Sequence, residues 1–347
     1  RFGTLRSERI GHYAGNTEIY LCERGAKLLP KRSIDVFFNN RIVSNIQLKK
    51  MLARTLNVFP IACLQNPLYL ANRFIPGYKE HIVKLSTDRD INGLTNHAPI
   101  HLIFTRKEER EGRAELLKIG IPEGAKFVCF HARDQNYLKK TFTHINYDYH
   151  SYRNSDIDRY IPALLELVGR GYWAVKMGRK SERSLQCNEK KIIDYSEKFS
   201  NDFLDIYLSS KAVFFISNGN GLDEIPEMFR KPMVYVNFIP YEMVSSWSTK
   251  CIVIFKKLWL TKERRFMGFR EIFESGAGRF GRTEQYEQAG IEAVENTPEE
   301  ITAVTIEMDE RLKGTWQTTE EDEELQQRFW ALFKSSKFHG VIRSRIG

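Results

Sequence analysis

The chain has 347 residues, of which 42% are hydrophobic and 28% charged. This balance excludes a disordered or fibrous chain, and no apolar run approaches the ~20 residues that span a bilayer. The formal net charge of +9 favours an anionic partner, whether a nucleotide, a nucleic acid or an acidic membrane face.

Five scattered cysteines form no CxxC pair. This argues against a disulfide framework or a cysteine zinc site and favours a reducing compartment. The first residues do not read as a secretory signal, so we expect a cytoplasmic protein. The length favours two domains.

The chain opens with a predicted strand over residues 2–5. A loop with Gly11 and Gly15 is predicted to follow and to lead into a helix through residues 17–21. Glycines let a ligand approach the backbone, and a helix N-terminus offers N–H groups to an anion. We expect His12 and Asn16 to contact such a ligand; the alternative is a capped helix start with a surface histidine.

The next elements alternate between strand and helix, which predicts a parallel sheet covered by helices. Strands are predicted at 34–38, 82–85 and 100–104, and a helix at 45–56. A charged helix at 106–117 is the expected connection to a second unit. The first domain is therefore predicted to span residues 1–115.

The second unit begins with an apolar strand over residues 127–130 that ends in His131, Arg133 and Asp134. Open α/β sheets bind ligands beyond the carboxyl ends of their strands. The planar, permanently charged guanidinium of Arg133 fits two phosphate oxygens. The alternative is a solvated ion pair at a strand end.

A long polar and aromatic stretch over residues 135–154 follows, either facing a ligand or packing over the sheet edge. Ser155 and Asp158 have the spacing of a capping box for a helix that runs to residue 168. The strand at 173–178 carries Lys176 near its end, at the same sheet edge as Arg133.

A second apolar run at 212–216 leads through the turn 217–221 into a helix through residues 222–229. Gly219 and Gly221 permit positive φ or close approach, and the following helix N-terminus attracts phosphate. The turn is neither GxGxxG, because Glu224 occupies the third glycine position, nor a Walker loop. Further strands are predicted at 231–237 and 251–255.

Helical sequence ends the chain. Thr297 and Glu300 predict one capped helix and Thr318 with Glu321 a second. The second domain is predicted to span residues 116–313. Residues 314–347, a helix and a basic tail, are expected to pack back on the first domain. The tail is either solvated or a peripheral contact with an anionic membrane.

Residues 9–21, 131–134, 152–158 and 215–237 resemble a bacterial glycosyltransferase family whose genes are associated with surface-polysaccharide clusters. The resemblance covers roughly residues 5–313. It implies an α/β fold of the GT-B type: two facing Rossmann-like domains with parallel sheets and a cleft between them. The second domain would bind the nucleotide-sugar donor and the first the acceptor, with no metal or other cofactor.

The stretch from His131 to Arg133 is also similar to the start of the HxRxxD motif of fucosyltransferases, whose arginine contacts the donor diphosphate. Here Asp134 directly follows the arginine and Asn136 takes the place of the last aspartate. GDP, UDP, dTDP and CMP donors therefore all stay open.

The resemblance implies transfer of a sugar to an acceptor hydroxyl of a glycan or lipid-linked glycan, in the cytoplasm or peripherally at the inner membrane. His12 is the expected general base, with Asp134 and Glu18 as alternatives. Gly11, Asn16 and Arg153 are expected at the acceptor. The residues expected at the donor are His131, Arg133, Lys176, Asn218, Gly219, Asn220, Gly221 and Glu224.

Two other functions remain open from the sequence. One is a nucleotide-sugar epimerase or related hydrolase on the same fold. The other is a basic nucleic-acid-binding protein, which the dispersed charge and the lack of a zinc finger or RNP-like motif disfavour. The DxD matches at Asp88 with Asp90 and at Asp156 with Asp158 are short enough to arise by chance, so no metal site is expected.

Overall fold

The computed structural model describes residues 1–30, 33–85, 89–90, 92–134, 148–179, 185–244, 248–333 and 344–347. The strands are β1 Phe2–Leu5, β2 Val36–Asn39, β3 Asn57–Phe59, β4 Phe127–Phe130, β5 Trp173–Lys176, β6 Ile192–Asp194, β7 Phe215–Ser217, β8 Met233–Phe238, β9 Cys251–Phe255, β10 Lys257–Leu260, β11 Arg265–Phe266, β12 Ile291–Val294 and β13 Arg345–Ile346. The α-helices are α1 Ile10–Gly25, α2 Ile46–Thr55, α3 Gln65–Asn72, α4 Arg106–Lys118, α5 Ile161–Gly169, α6 Tyr195–Lys198, α7 Asp202–Lys211, α8 Glu224–Met228, α9 Phe269–Glu274, α10 Thr283–Gln288, α11 Pro298–Lys313 and α12 Glu320–Ala331.

A seven-stranded sheet forms the larger part of the structure, in the order β13-β9-β8-β7-β4-β5-β6. All its pairings are parallel. Its first six strands in chain order have the 3-2-1-4-5-6 arrangement of a doubly wound Rossmann sheet. The strand order reverses between β4 and β7, which is where such sheets open a crevice for ligands.

The two faces of this sheet pack into separate cores because successive side chains of a strand point to opposite faces. In β4, Val128 and Phe130 belong to one core, and Phe127 and Cys129 to the other. A strand buried on both faces reads as a continuous apolar run. This explains why β4 is recognisable in the sequence.

The other two sheets are small. A parallel sheet of order β1-β2-β3 lies against α1 and α2, and an antiparallel sheet has the order β11-β10-β12. The core of the parallel sheet contains Leu5, Tyr13 and Phe37, and it continues onto Tyr207 of α7 and Phe229 after α8. Apolar packing therefore joins the small parallel sheet to helices of the seven-stranded sheet.

The predicted α/β class with parallel sheets is confirmed, but the start of α1 was predicted wrongly. The helix begins at Ile10, so Gly11, His12 and Gly15 lie in its first turns rather than in a loop. The glycines serve packing: a Cβ added at Gly11 would lie 2.7 Å from the Cα of Gly221, and one at Gly15 would meet the Glu224 carboxylate. At these two glycines, packing against residues 221–224 determines the local structure.

Four other local predictions are corrected. Residues 100–104 form no strand, and of the predicted strand at 82–85 only Ile82 makes a bridge, to Phe2. The helix after residue 155 starts as a 3-10 turn capped by Asp156, whose side chain accepts from the Asp158 N–H. The last helix is capped by Thr319 with Asp322, one residue later than predicted. The capping box of Thr297 and Glu300 is confirmed.

The described part of the C-terminal segment packs on the seven-stranded sheet. Phe329 and Phe333 of this segment contact Phe273, and β13 pairs with β9 at the sheet edge. The basic residues Lys334, Lys337 and Arg343 lie outside the described residues.

Candidate active site

A cavity of about 760 Å³ opens at the carboxyl edge of the seven-stranded sheet. Residues that follow β4, β5, β7 and β8 line one side, and the first turn of α1 lines another. The volume is that of a small-molecule site. The cavity therefore lies at the crevice that the strand order predicts, with α1 brought to it by the contact between Gly11 and Gly221.

Two arginines line this cavity side by side. Arg133 follows β4 and donates from Nη1 to the carbonyl of His150 (2.9 Å), and Arg153 donates to the carbonyl of Gly219. Among the residues that the structure describes, neither guanidinium has a carboxylate at ion-pair distance. Burial and then the charge of Arg153 lower the pKa of Arg133 to about 10. Buried charges are normally paired, so this pair suits an anion such as a diphosphate.

Two further nitrogen atoms lie in the same positively charged part of the cavity. The Nε of Arg153 and the Nδ1 of His150 are buried with no hydrogen-bond partner in the described part of the chain. Burial, and next the charge of Arg133, lowers the pKa of His150 to about 4. The Nε–H of Arg153, and Nδ1 of His150 in the tautomer that carries a hydrogen there, can donate to an oxygen-rich ligand that enters beside Arg133.

His131 lines the cavity as predicted, but its ring is held by the protein. Its Nδ1 contacts the carbonyl of Met177 (3.1 Å), and because a carbonyl only accepts, this nitrogen carries the hydrogen. Burial lowers the pKa of His131 to about 4, so it stays neutral near pH 7. A neutral imidazole here shapes the crevice without adding charge.

Two predicted donor residues do not line the cavity. Lys176 is buried and its Nζ donates to Asp194 on the adjacent strand β6 (2.8 Å). Asn218 is also buried: its Oδ1 accepts from the Arg133 N–H (3.0 Å) and its Nδ2 donates to the Arg153 carbonyl (2.8 Å). Lys176 thus forms an ion pair between two strands of the sheet. Asn218 holds the backbones of Arg133 and Arg153 in place.

The turn after β7 has the conformation that its glycines allow. Gly219 has φ +81°, and a Cβ added there would lie 2.9 Å from the ring of Phe238. Gly219, Asn220, Gly221 and Glu224 line the cavity as expected. However, α8 has only five residues and begins beside the carboxylates of Asp223 and Glu224, so its N-terminus is not the phosphate site that the sequence suggested.

The carboxylates of the cavity are held by other groups. Asp205 pairs with Arg179, and Glu242 accepts from Arg279 (2.7 Å). Asp223, which the sequence reasoning missed, accepts from the backbone N–H of Asn220 (2.7 Å). Burial raises the pKa of Asp223 to about 7. Its polar neighbours in the glycine turn were visible in the sequence, but its burial was not.

The candidates on α1 and beside β4 separate into two groups. Gly11, His12 and Asp134 line the cavity. Asn16 and Glu18 are buried in the helix packing and do not line it. Arg153, expected at the acceptor, instead stands beside Arg133 at the carboxyl edge of the large sheet.

Glu18 belongs to a separate buried cluster. Its Oε1 contacts Nδ1 of His101 (2.8 Å) and accepts from Arg230 (2.6 Å). Glu18, Cys22 and His101 bring possible metal ligands within 4.8 Å of one another. Since the Arg230 guanidinium already supplies positive charge to this carboxylate, the cluster is an ion-pair network between α1 and the end of α8. Glu18 is therefore excluded as the general base.

The described aspartates of the two DxD matches, Asp90, Asp156 and Asp158, do not line the cavity. Asp90 is buried and accepts from the N–H and hydroxyl of Thr95, and Asp156 caps the turn that follows it. Asp88 lies outside the described residues.

No helix among the described residues is long and apolar enough to cross a membrane.

No family model and no curated protein matches the sequence. Among solved structures, the chain is similar to Escherichia coli ADP-heptose LPS heptosyltransferase II, with a TM-score of 0.50 and 11% identity over 89% of this chain and 99% of that chain. A glycosyl transferase of family 9 from Veillonella parvula gives a TM-score of 0.47 and 12% identity over 83% of this chain and 94% of that chain. At such low identity, the likeness to the E. coli enzyme shows that the two chains share a fold.

Proposed function

We propose that this protein is a glycosyltransferase of the GT-B type that moves a sugar from a nucleotide-sugar donor to an acceptor hydroxyl in bacterial surface-glycan synthesis. Residues 116–313 would bind the donor and residues 1–115 the acceptor, a glycan or lipid-linked glycan. The observation behind this proposal is the pair of the buried Arg133 and the half-buried Arg153. They lie at the switch point of the sheet without a carboxylate partner in the described chain. The fold shared with the heptosyltransferase supports the same class.

The proposed reaction builds up negative charge on the leaving diphosphate. The acceptor oxygen attacks the anomeric carbon while the bond from that carbon to the nucleoside diphosphate breaks, and the diphosphate leaves with the electron pair. Arg133 and Arg153 stabilise the growing negative charge, which is the role that a bound metal has in other transferases. No metal is therefore required in this proposal.

A general base takes the acceptor proton. His12 is the proposed base because it lines the cavity from α1, with Asp134 as the alternative. Asp223 is a third candidate, since burial brings its pKa to about 7, near the working pH of a base. His12→Gln, Asp134→Asn and Asp223→Asn, assayed for kcat at saturating donor, should single out the base by a loss of roughly 10²- to 10⁴-fold.

The proposal is tested first by nucleotide binding. GDP, UDP, dTDP, CMP and ADP are added separately to wild type, to Arg133→Ala and to Arg279→Ala, and unfolding is followed by thermal shift. Arg279 lines the same cavity but is paired with Glu242, so its variant is the matched control. At ~100 times its dissociation constant, the correct nucleotide stabilises wild type by about 2.7 kcal/mol.

We expect one nucleotide to stabilise wild type and Arg279→Ala but not Arg133→Ala. An equal response of all three proteins would contradict the assignment of the diphosphate site. Product analysis with and without an acceptor then separates a transferase from an epimerase or hydrolase, because only a transferase consumes the acceptor.

A further inference from the structure

An exposed apolar surface lies on residues 57–80, which contain β3 and α3. We refer to it as the 57–80 surface. Of the eight residues of α3, only Asn72 is buried. Phe74 is 84% exposed and Leu70 59%. The other large apolar side chains exposed on this surface are Phe59, Ile61, Leu64, Leu68 and Ile75. Contiguous apolar surface of this kind marks an interaction site.

The charges around this surface are nearly all positive. Residues 41–84 carry seven lysines and arginines but one acidic residue, Glu80. All eight are exposed. Arg73 and Lys79 lie within the surface, and Lys49 and Lys50 lie on α2, which packs beside β3. An apolar surface rimmed by cations is complementary to an anionic, apolar partner.

The 57–80 surface is held against β1, the strand after which the chain enters the cavity. Gln65 of α3 donates to the hydroxyl of Thr4 (2.7 Å), and the ring of Tyr69 packs edge-on against Phe2 (4.8 Å between centroids). Four residues after Thr4, Glu8 lines the cavity. A partner that covers the 57–80 surface would therefore contact the strand after which the chain enters the candidate active site.

We propose that the 57–80 surface docks on an anionic lipid membrane, with Leu70, Phe74 and Ile75 entering the headgroup region and the surrounding cations contacting lipid phosphates. A second copy of this chain is a poorer occupant, because a two-fold contact would place the same cations against each other. The biological role rests on the proposed function, since a docked enzyme could meet a lipid-linked acceptor.

The test is sedimentation with vesicles of equal parts phosphatidylglycerol and phosphatidylcholine, or of phosphatidylcholine alone, without nucleotide. Wild type should bind the anionic vesicles roughly tenfold or more tightly than the neutral ones, and added salt should weaken the binding. The triple variant Leu70→Ser, Phe74→Ser and Ile75→Ser should lose roughly tenfold or more in affinity. Its matched control replaces three exposed leucines elsewhere, Leu165→Ser, Leu312→Ser and Leu325→Ser, and should bind like wild type.

Charge variants separate a local contact from the net charge of the protein. Arg73→Gln with Lys79→Gln should weaken binding by roughly fivefold per cation, while Lys190→Gln with Lys262→Gln, exposed elsewhere, should leave it unchanged. Lys334→Gln with Lys337→Gln tests the basic tail and should also leave binding unchanged. Loss of binding in the tail variant alone would overturn the proposal.

Two other results would overturn it. One is failure of wild type to bind anionic vesicles at low salt. The other is a dimer in analytical ultracentrifugation that the triple variant converts to a monomer, because a second copy would then cover the surface. Neither depends on sugar transfer. Arg133→Ala should bind vesicles like wild type, so failure of the membrane proposal and failure of the proposed function are distinguishable.

Discussion

Gly11 and Gly221 are in backbone contact across two segments that are 210 residues apart. A Cβ on Gly11 would lie 2.7 Å from the Cα and 2.9 Å from the carbonyl oxygen of Gly221. The reverse substitution is easier, since a Cβ on Gly221 would meet the N of Gly11 at 3.4 Å, an ordinary contact. This contact fixes the first turn of α1, and with it His12, against the turn after β7.

Gly11→Ala should therefore destabilise the protein more than Gly221→Ala. The clash is with backbone, which cannot rotate away, and overpacking of this kind costs typically 1–3 kcal/mol. Helix propensity favours alanine by about 1 kcal/mol, which leaves a net loss of roughly 0–2 kcal/mol for Gly11→Ala. Urea denaturation measures both variants. A Gly11→Ala variant more stable than wild type, as helix propensity alone would give, would contradict the close approach.

Arg133→Met should leave the stability of the ligand-free protein unchanged or raise it by about 1 kcal/mol. The substitution removes a buried cation that faces Arg153, and apolar replacement of buried charge is often neutral or stabilising. The same variant should lose its response to nucleotide. A combined measurement of Tm with and without nucleotide checks this. A large loss of stability without ligand would mean that Arg133 is a structural residue.

Asp223→Asn should change how stability depends on pH. The folded-state pKa of Asp223 is raised to about 7, whereas the unfolded value is about 3.9, so its contribution is complete below pH ~4 and is lost as the pH rises through 7. Removing this carboxyl should make the variant progressively more stable relative to wild type from pH 4 to 7, by at most about 1.4 kcal/mol per pH unit, and the difference should be constant above pH 7.

Denaturant midpoints of the two proteins across this range give the difference. His131 and His150 act in the opposite sense, because their folded pKa values are lowered to about 4 and their stabilisation is lost as the pH falls below ~6.5. They are present in both proteins and cancel in the comparison. A difference that does not vary with pH would contradict the raised pKa of Asp223.

Thr319→Ala should cost about 1 kcal/mol, and Thr318→Ala should be nearly neutral. The Thr319 hydroxyl accepts from the Asp322 N–H in a capping box of α12, whereas the exposed Thr318 only contacts Arg311 (3.3 Å). Chemical denaturation of the two adjacent variants decides which threonine caps the helix. Equal losses would indicate that the helix start varies in solution.

The parts of the fold that the sequence predicts correctly are those with a local signal. Residues 127–130 are recognisable because a strand buried on both faces needs apolar side chains throughout. The capping box at Thr297 is recognisable because its partners are three residues apart. The position of Arg133 at the cavity follows from the same signal, because this residue comes shortly after such a strand.

The failures have long-range causes. Lys176 looked available for a ligand, but its partner Asp194 comes from the neighbouring strand. Glu18 looked like a base, but its partner Arg230 lies 212 residues further along the chain. Arg153 lies beside Arg133 because residues 148–153 pack over the sheet edge in the folded protein. No residue spacing encodes these contacts, because the tertiary fold creates them.

The order of the large sheet also has a consequence for synthesis of the protein. β4 is an interior strand, yet its partner on one side, β7, is made much later: Phe215 follows Cys129 by 86 residues. At ~5–20 residues per second, one edge of this apolar strand stays unpaired on the ribosome for roughly 4–17 s. Unpaired apolar edges invite aggregation. We therefore expect the yield of soluble protein to depend on chaperones and on the rate of translation between β4 and β7.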